Sequence, residues 1–237
     1  MKTLFCRTNP RLTRIYQHPF NQSLCRGDLP KPIFLDFLRQ DTFYLDYYSK
    51  ALHIVANRLT NESHALEFQK FYKDTVAYEL LIHQHYLQPL PRISFFNNNH
   101  LKIKPLPAVS EYSAYLLSMA KEASVEEAVF SLMACFLVFS ELGEQIEVVN
   151  CDPNHPYLEW IKSCSSEEFR DSTKQFVQIA GELKSGVTCL EQRNKMELGF
   201  WKSVDFEYRF LEEIYCSSEL KPGLLETDSG SISFNKF

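Results

Sequence analysis

The sequence predicts an all-α protein, a bundle of long amphipathic helices. Apolar residues recur at steps of three and four along most of the chain, the spacing that puts them on one face of a helix. Only 7 of the 237 residues are glycine, few for a β-rich chain with many tight turns. Hydrophobic residues make up 45% and charged residues 23%, enough apolar material to bury a sizeable core and too much for a disordered chain.

The first helix is expected over about 11–25, bent near His18-Pro19 and stopped by Gly27. A second, about 32–59, begins where Pro32 is tolerated in a first turn. The third runs over about 62–87. Residues 88–109 hold four prolines and a run of three asparagines and read as a long connection. A short helix takes about 110–121, and Ser124 with Glu127 reads as a capping box for the next. After a loop at 150–156, helices are expected from Pro156, over 166–183 and over 189–215. Residues 216–237 read as a polar tail. No internal repeat or shift in composition divides the chain, so one domain over 1–237 is expected, with its core at about 11–215.

The formal net charge is −5 and the basic residues gather into no stripe, which argues against a nucleic-acid partner. The longest apolar run, Ala128 to Phe139, is too short to span a bilayer, and the N-terminal residues lack the apolar core of a signal peptide. Seven cysteines without a CxxC pair fit a reduced, cytoplasmic chain better than a disulfide framework or a zinc site.

Three helices carry a reactive group where an apolar residue belongs. Ala128, Leu132, Cys135, Phe139, Leu142 and Ile146 form one stripe; Phe34, Phe37, Asp41, Tyr44 and Tyr48 a second; Phe200, Val204, Glu207, Leu211 and Ile214 a third. A buried carboxylate must be paired, hydrogen-bonded or neutralised, so two on inward faces suggest a polar pocket inside the bundle. A thiol in that pocket would complete a nucleophile with acid and base partners. The plainer alternative is a cysteine that only packs, with carboxylates that cap backbone groups or pair with a nearby Arg or Lys. Glu79 and His83, four apart, could offer two ligands to a metal. No matching ExxH appears in the later helices, so no metal is expected and a helix-fixing hydrogen bond is the better reading.

Several blocks carry a resemblance: HPFNQSLCRGDLP (18–30), FLRQDTFYLDYY (37–48), EYSAYL (111–116), ACFLVFSELGE (134–144), HPYLEWI (155–161) and FEYRF (206–210). In order and spacing the chain resembles the TenA family, the thiaminase II or aminopyrimidine aminohydrolase proteins of heme-oxygenase-like helical fold. The resemblance implies a catalytic cysteine at Cys135, a carboxylate at Asp41 that contacts both ring and cysteine, and a proton-transferring glutamate at Glu207. It also implies tyrosines at Tyr44 and Tyr112 that stack on or hydrogen-bond to the ring. The implied reaction is hydrolysis at the methylene on C5 of a 4-amino-2-methylpyrimidine or of thiamin, giving hydroxymethylpyrimidine in thiamin salvage. It needs no organic cofactor or metal, and a homotetramer is implied. The chain departs from the family pattern at five places. Ala134 precedes the cysteine where proline is usual, Phe139 and Cys164 replace pocket tyrosines, Leu211 replaces tryptophan and Phe206 replaces tyrosine. The implied pocket is more apolar, and a protein that binds a pyrimidine with weak or shifted chemistry is the competing expectation. A metal-dependent oxygenase of the same fold would rest on Glu79 and His83 alone.

Overall fold

The structure is a computed structural model, and it describes residues 9–87, 104–149 and 152–219. Among them are nine helices and no strand: α1 (Pro10–Tyr16), α2 (Pro19–Arg26), α3 (Lys31–Arg58), α4 (Glu62–Tyr86), α5 (Pro107–Glu122), α6 (Val125–Val149), α7 (Leu158–Ser165), α8 (Glu167–Gly186) and α9 (Leu190–Glu219).

The expected first helix is two helices. Proline at 19 removes a donor, and the His18 ring caps the second segment by accepting from the Phe20 N–H at 3.2 Å. The chain leaves α2 through Gly27 at φ +77°, and an added Cβ there would lie 3.2 Å from the His155 ring, so both conformation and space favour glycine. Ser124 caps α6 as expected, accepting from the Glu127 N–H at 3.2 Å. The last helix continues through the first residues of the expected tail, because buried Ile214 and half-buried Tyr215 hold its last turns against the core. Residues 220–237, and most of the 88–109 connection, lie outside the described residues.

Helix α6 is the axis of the bundle. Residues 128 to 138 are buried all the way round, as expected of a helix with neighbours on every side. It packs against α9, α7, α8, α5 and α3. Two contacts set the helices that matter for chemistry. Tyr48 on α3 donates from its hydroxyl to the Leu132 carbonyl of α6 at 2.8 Å, one turn before Cys135. Gly143 lets α7 approach so closely that a Cβ would sit 2.6 Å from the backbone of Cys164. The buried apolar side chains form one contiguous cluster from Leu12 to Ile214.

Candidate active site

The three inward stripes meet around Cys135. Asp41, Tyr44 and Tyr48 come from α3, Cys135 from α6, Glu207 from α9 and Tyr112 from α5, and all six are buried. Beside them is a cavity of about 760 Å³, lined by Phe37, Asp41, Tyr48, Tyr78, Cys135, Phe139, Trp160, Ser163 and Cys164 among others. Lys70, Asp74, Glu168 and Asp171 stand toward solvent. The size and the seven aromatic rings of the lining suit a flat organic ligand.

Glu207, Tyr44 and Tyr112 are not among the cavity walls. They form a layer behind the sulfur. Tyr112 donates to Glu207 Oε1 at 2.8 Å and stacks on Tyr44, ring centres 4.9 Å apart, and on Phe206 at 5.1 Å. The expected single slot is therefore two connected parts. The cavity-facing part holds Asp41 and Cys135, with Phe139 and Cys164; the part behind it holds Glu207 with its tyrosines. Tyr44 and Tyr112 stack on one another and leave no gap between them for a ligand ring.

Electrostatics follow from burial. Loss of hydration pushes Asp41 up to about 7. Burial and the Asp41 charge push Glu207 up to about 8, against the Tyr112 hydrogen bond, which favours the carboxylate. The Cys135 thiol is pushed well above its ordinary value by burial and then by Glu207, so a thiolate is disfavoured while the carboxylates are charged. The Tyr44 hydroxyl lies close enough to Cys135 and Glu207 to favour their charged forms, yet reaches hydrogen-bonding geometry to neither. It and the Trp160 indole N–H are buried polar groups without a hydrogen-bond partner among the described residues. Around neutrality Asp41 is the first acid to ionise, Glu207 largely keeps its proton, and the thiol is neutral.

Sequence reasoning did not single out Tyr78 or Ser163, and it read Glu79 as half of a histidine pair. Glu79 is buried at the α3–α4 contact, pushed up to about 8 by burial and by the charges of Asp41 and Asp46, and its Oε1 has no hydrogen-bond partner among the described residues. The His83 side chain lies outside the described residues, so the expected Glu79–His83 bond does too. Among the described residues no cluster of three potential metal ligands occurs, and no helix is long and apolar enough to cross a membrane. Cys135, Cys164 and Cys189 are free thiols.

The fold and site define a helical bundle with a buried thiol and carboxylates beside an aromatic cavity. The chain belongs to the TENA/THI-4/PQQC family, which it matches over residues 7–217. It is 25% identical over 214 residues to the aminopyrimidine aminohydrolase of Halalkalibacterium halodurans, covering 90% of this chain and 94% of that protein. To the aminopyrimidine aminohydrolase of Bacillus subtilis it is 26% identical over 196 residues, covering 82% and 80%. The TenA homologue of Pyrococcus furiosus superposes with a TM-score of 0.79 at 17% identity, over 90% of this chain and 98% of that one. The fold is thus that of the TenA proteins.

Proposed function

We propose that the protein is a cysteine-dependent aminopyrimidine hydrolase of thiaminase II type. The observation that carries this reading is the sharing of one aromatic-walled cavity by the Cys135 sulfur and the Asp41 carboxyl, with the Tyr112–Glu207 pair behind the sulfur. The two named relatives, each matched over most of its length, add the substrate class.

In this reading the ring lies in the cavity with its amidine-like edge, one exocyclic N–H and one ring nitrogen, on Asp41. The Cys135 sulfur forms a bond to a ring carbon, its proton passing to a carboxylate, while a ring nitrogen gains a proton. The bond between the methylene and the leaving nitrogen then breaks. Its electron pair departs with the amine, which Glu207 can protonate through the buried layer. Water adds to the methylene, the sulfur–carbon bond breaks, and hydroxymethylpyrimidine and the amine leave. Raised acids suit this sequence, because a neutral Glu207 can give a proton near pH 7 and a charged Asp41 can take one.

A second reading, a pyrimidine-binding protein of weak turnover, draws on Phe139 and Cys164, which line the cavity without a phenol. One experiment separates the two. Purified protein is incubated with 4-amino-5-aminomethyl-2-methylpyrimidine and with thiamin, and hydroxymethylpyrimidine is followed by chromatography. Turnover by the native protein that falls to background in Cys135→Ser is expected. Tight pyrimidine binding without turnover would favour the second reading, and activity retained in Cys135→Ser would sink the first.

A further inference from the structure

Helix α5 carries Tyr112, the donor to Glu207, and its first turn has no cap of its own. The N-cap residue is Leu106, whose side chain cannot accept a hydrogen bond, and Pro107 follows at the first helical position. Two side chains from other helices meet the N–H groups of that end instead. Gln40 of α3 accepts from the Leu106 N–H at 2.8 Å and donates to the Lys104 carbonyl at 3.2 Å. Glu213 of α9 accepts from the Ala108 N–H at 2.7 Å, a carboxylate at the positive end of the helix dipole.

These contacts set a register. α5 runs antiparallel to α9, with Ala108 against Glu213, Tyr112 against Glu207, and Tyr115 donating to the Gly199 carbonyl at 3.3 Å. Tyr112 lies one turn beyond Ala108 on the same face. Its ring stacks on Tyr44 at an interplanar angle of 28° and on Phe206 at 11°. Stacking limits tilt and leaves the ring able to slide in its own plane. Where the hydroxyl meets Glu207 is therefore decided by where the helix stands, and a slip of about 1 Å breaks the hydrogen bond. Tyr115 holds the turn after Tyr112. The Arg209–Glu111 ion pair is half exposed at both ends and adds little. The turn before Tyr112 is held by Gln40 and Glu213.

We propose that Glu213, with Gln40, is a positioning residue that holds Tyr112 on Glu207 and so sets how readily Glu207 gives up its proton. Its meaning for catalysis rests on the hydrolase reading above, in which Glu207 protonates the leaving amine. The direction of the effect separates positioning from plain charge. Tyr112 favours the Glu207 carboxylate, so a loosened Tyr112 raises the Glu207 value. Glu213 acting by its own negative charge would do the opposite, and its removal would lower that value. The titratable groups around Glu207 are Tyr112 from α5, Asp41, Tyr44 and Tyr48 from α3, and Cys135 from α6. No change at 213 removes any of them.

The test follows Glu207 in the native protein, Glu213→Ala, Glu213→Gln, Tyr112→Phe and Glu213→Ala/Tyr112→Phe. Two quantities are read against pH: kcat for 4-amino-5-aminomethyl-2-methylpyrimidine, and the infrared band of the protonated carboxyl that Glu207→Gln abolishes. Glu213→Ala should move the basic limb and the band titration up by about 0.5–1 pH unit, toward the position that Tyr112→Phe gives. Glu213→Gln keeps an acceptor for the Ala108 N–H and should leave both in place. The double variant should titrate where Tyr112→Phe does, because Glu213 acts through that phenol. Gln40→Ala releases the same turn from the α3 side and should move both quantities the same way. Asn61→Ala removes a cap from α4, where Asn61 Oδ1 accepts from the His64 N–H at 3.1 Å, and controls for lost stability alone; its titration should not move. No shift in Glu213→Ala, a downward shift, or a double variant shifted beyond Tyr112→Phe overturns the proposal while the hydrolase reading stands. A native protein without turnover strikes the hydrolase reading, and the carboxyl band still decides the role of Glu213.

Discussion

Glu79 offers a clean test of the electrostatics, because it is buried, its Oε1 has no hydrogen-bond partner among the described residues and no step of the proposed chemistry requires it. Its ordinary value of 4.5 rises to about 8 through burial and the nearby charges of Asp41 and Asp46. The folded state therefore keeps this proton to a higher pH than the unfolded chain does. Between about pH 4.5 and 8 the native protein holds more protons, so its stability falls as pH rises, in full below the lower value and lost above the higher. Each pH unit in that window removes about 1.4 kcal/mol, so at pH 7 the group destabilises the fold by about 3 kcal/mol relative to its protonated form. Glu79→Gln keeps the shape and cannot ionise. It should match the native protein near pH 4.5, gain on it through neutrality and level off above pH 8. Urea unfolding at three pH values, with Asp171→Asn as an exposed control, measures the gain. A difference that does not change with pH would mean that Glu79 is hydrated or paired in solution, and the account of the whole carboxylate cluster would fail with it.

Other consequences are more local. Tyr112→Phe removes the donor that favours the Glu207 carboxylate, so the Glu207 value should move above about 8 and the basic limb of the kcat–pH profile should move up with it. An unmoved limb would exclude Glu207 as the group that reports there. Gly143→Ala drives a Cβ into the α7 backbone at 2.6 Å, and since backbone cannot step aside the protein should lose about 1–3 kcal/mol of stability, with Cys164 and Ser163 displaced from the cavity. Gly199→Ala meets the Ser131 hydroxyl at 2.6 Å, which can turn away only by giving up its hydrogen bonds with Glu127 and Tyr115, so its unfolding midpoint should fall as well.

Much of the site could be read along the chain because helical period fixes which face a residue occupies. Asp41, Cys135 and Glu207 were each placed inward by their own stripes, and all three are buried on α3, α6 and α9. What period cannot encode is the distance across helices. It could not say that Glu207 and its tyrosines form a layer behind the sulfur while Asp41 faces open space. Tyr78 went unnoticed for the same reason. A tyrosine on a half-exposed helix face looks like any other until α7 sets Ser163 and Cys164 against it. In sequence the break at His18-Pro19 reads as a bend, because helical spacing runs on through it. Only the ring's side-chain cap shows that a new helix starts there.

The buried acids are better understood as a shared proton store than as three separate groups. Asp41 is the lowest of them, at about 7, and its charge raises both Glu79 and Glu207, which lie at about 8. Ionising one therefore discourages the next, and near neutrality the cluster carries roughly one negative charge rather than three. A single charge beside a neutral thiol suits a cationic or amidine-like ring that brings its own N–H to Asp41. In the proposed reading, a ring that neutralises that carboxylate lifts one of the charges that hold the Cys135 proton in place, while burial and Glu207, the larger causes, remain. On the proposed reading, occupancy of the cavity therefore eases ionisation of the sulfur through Asp41 alone.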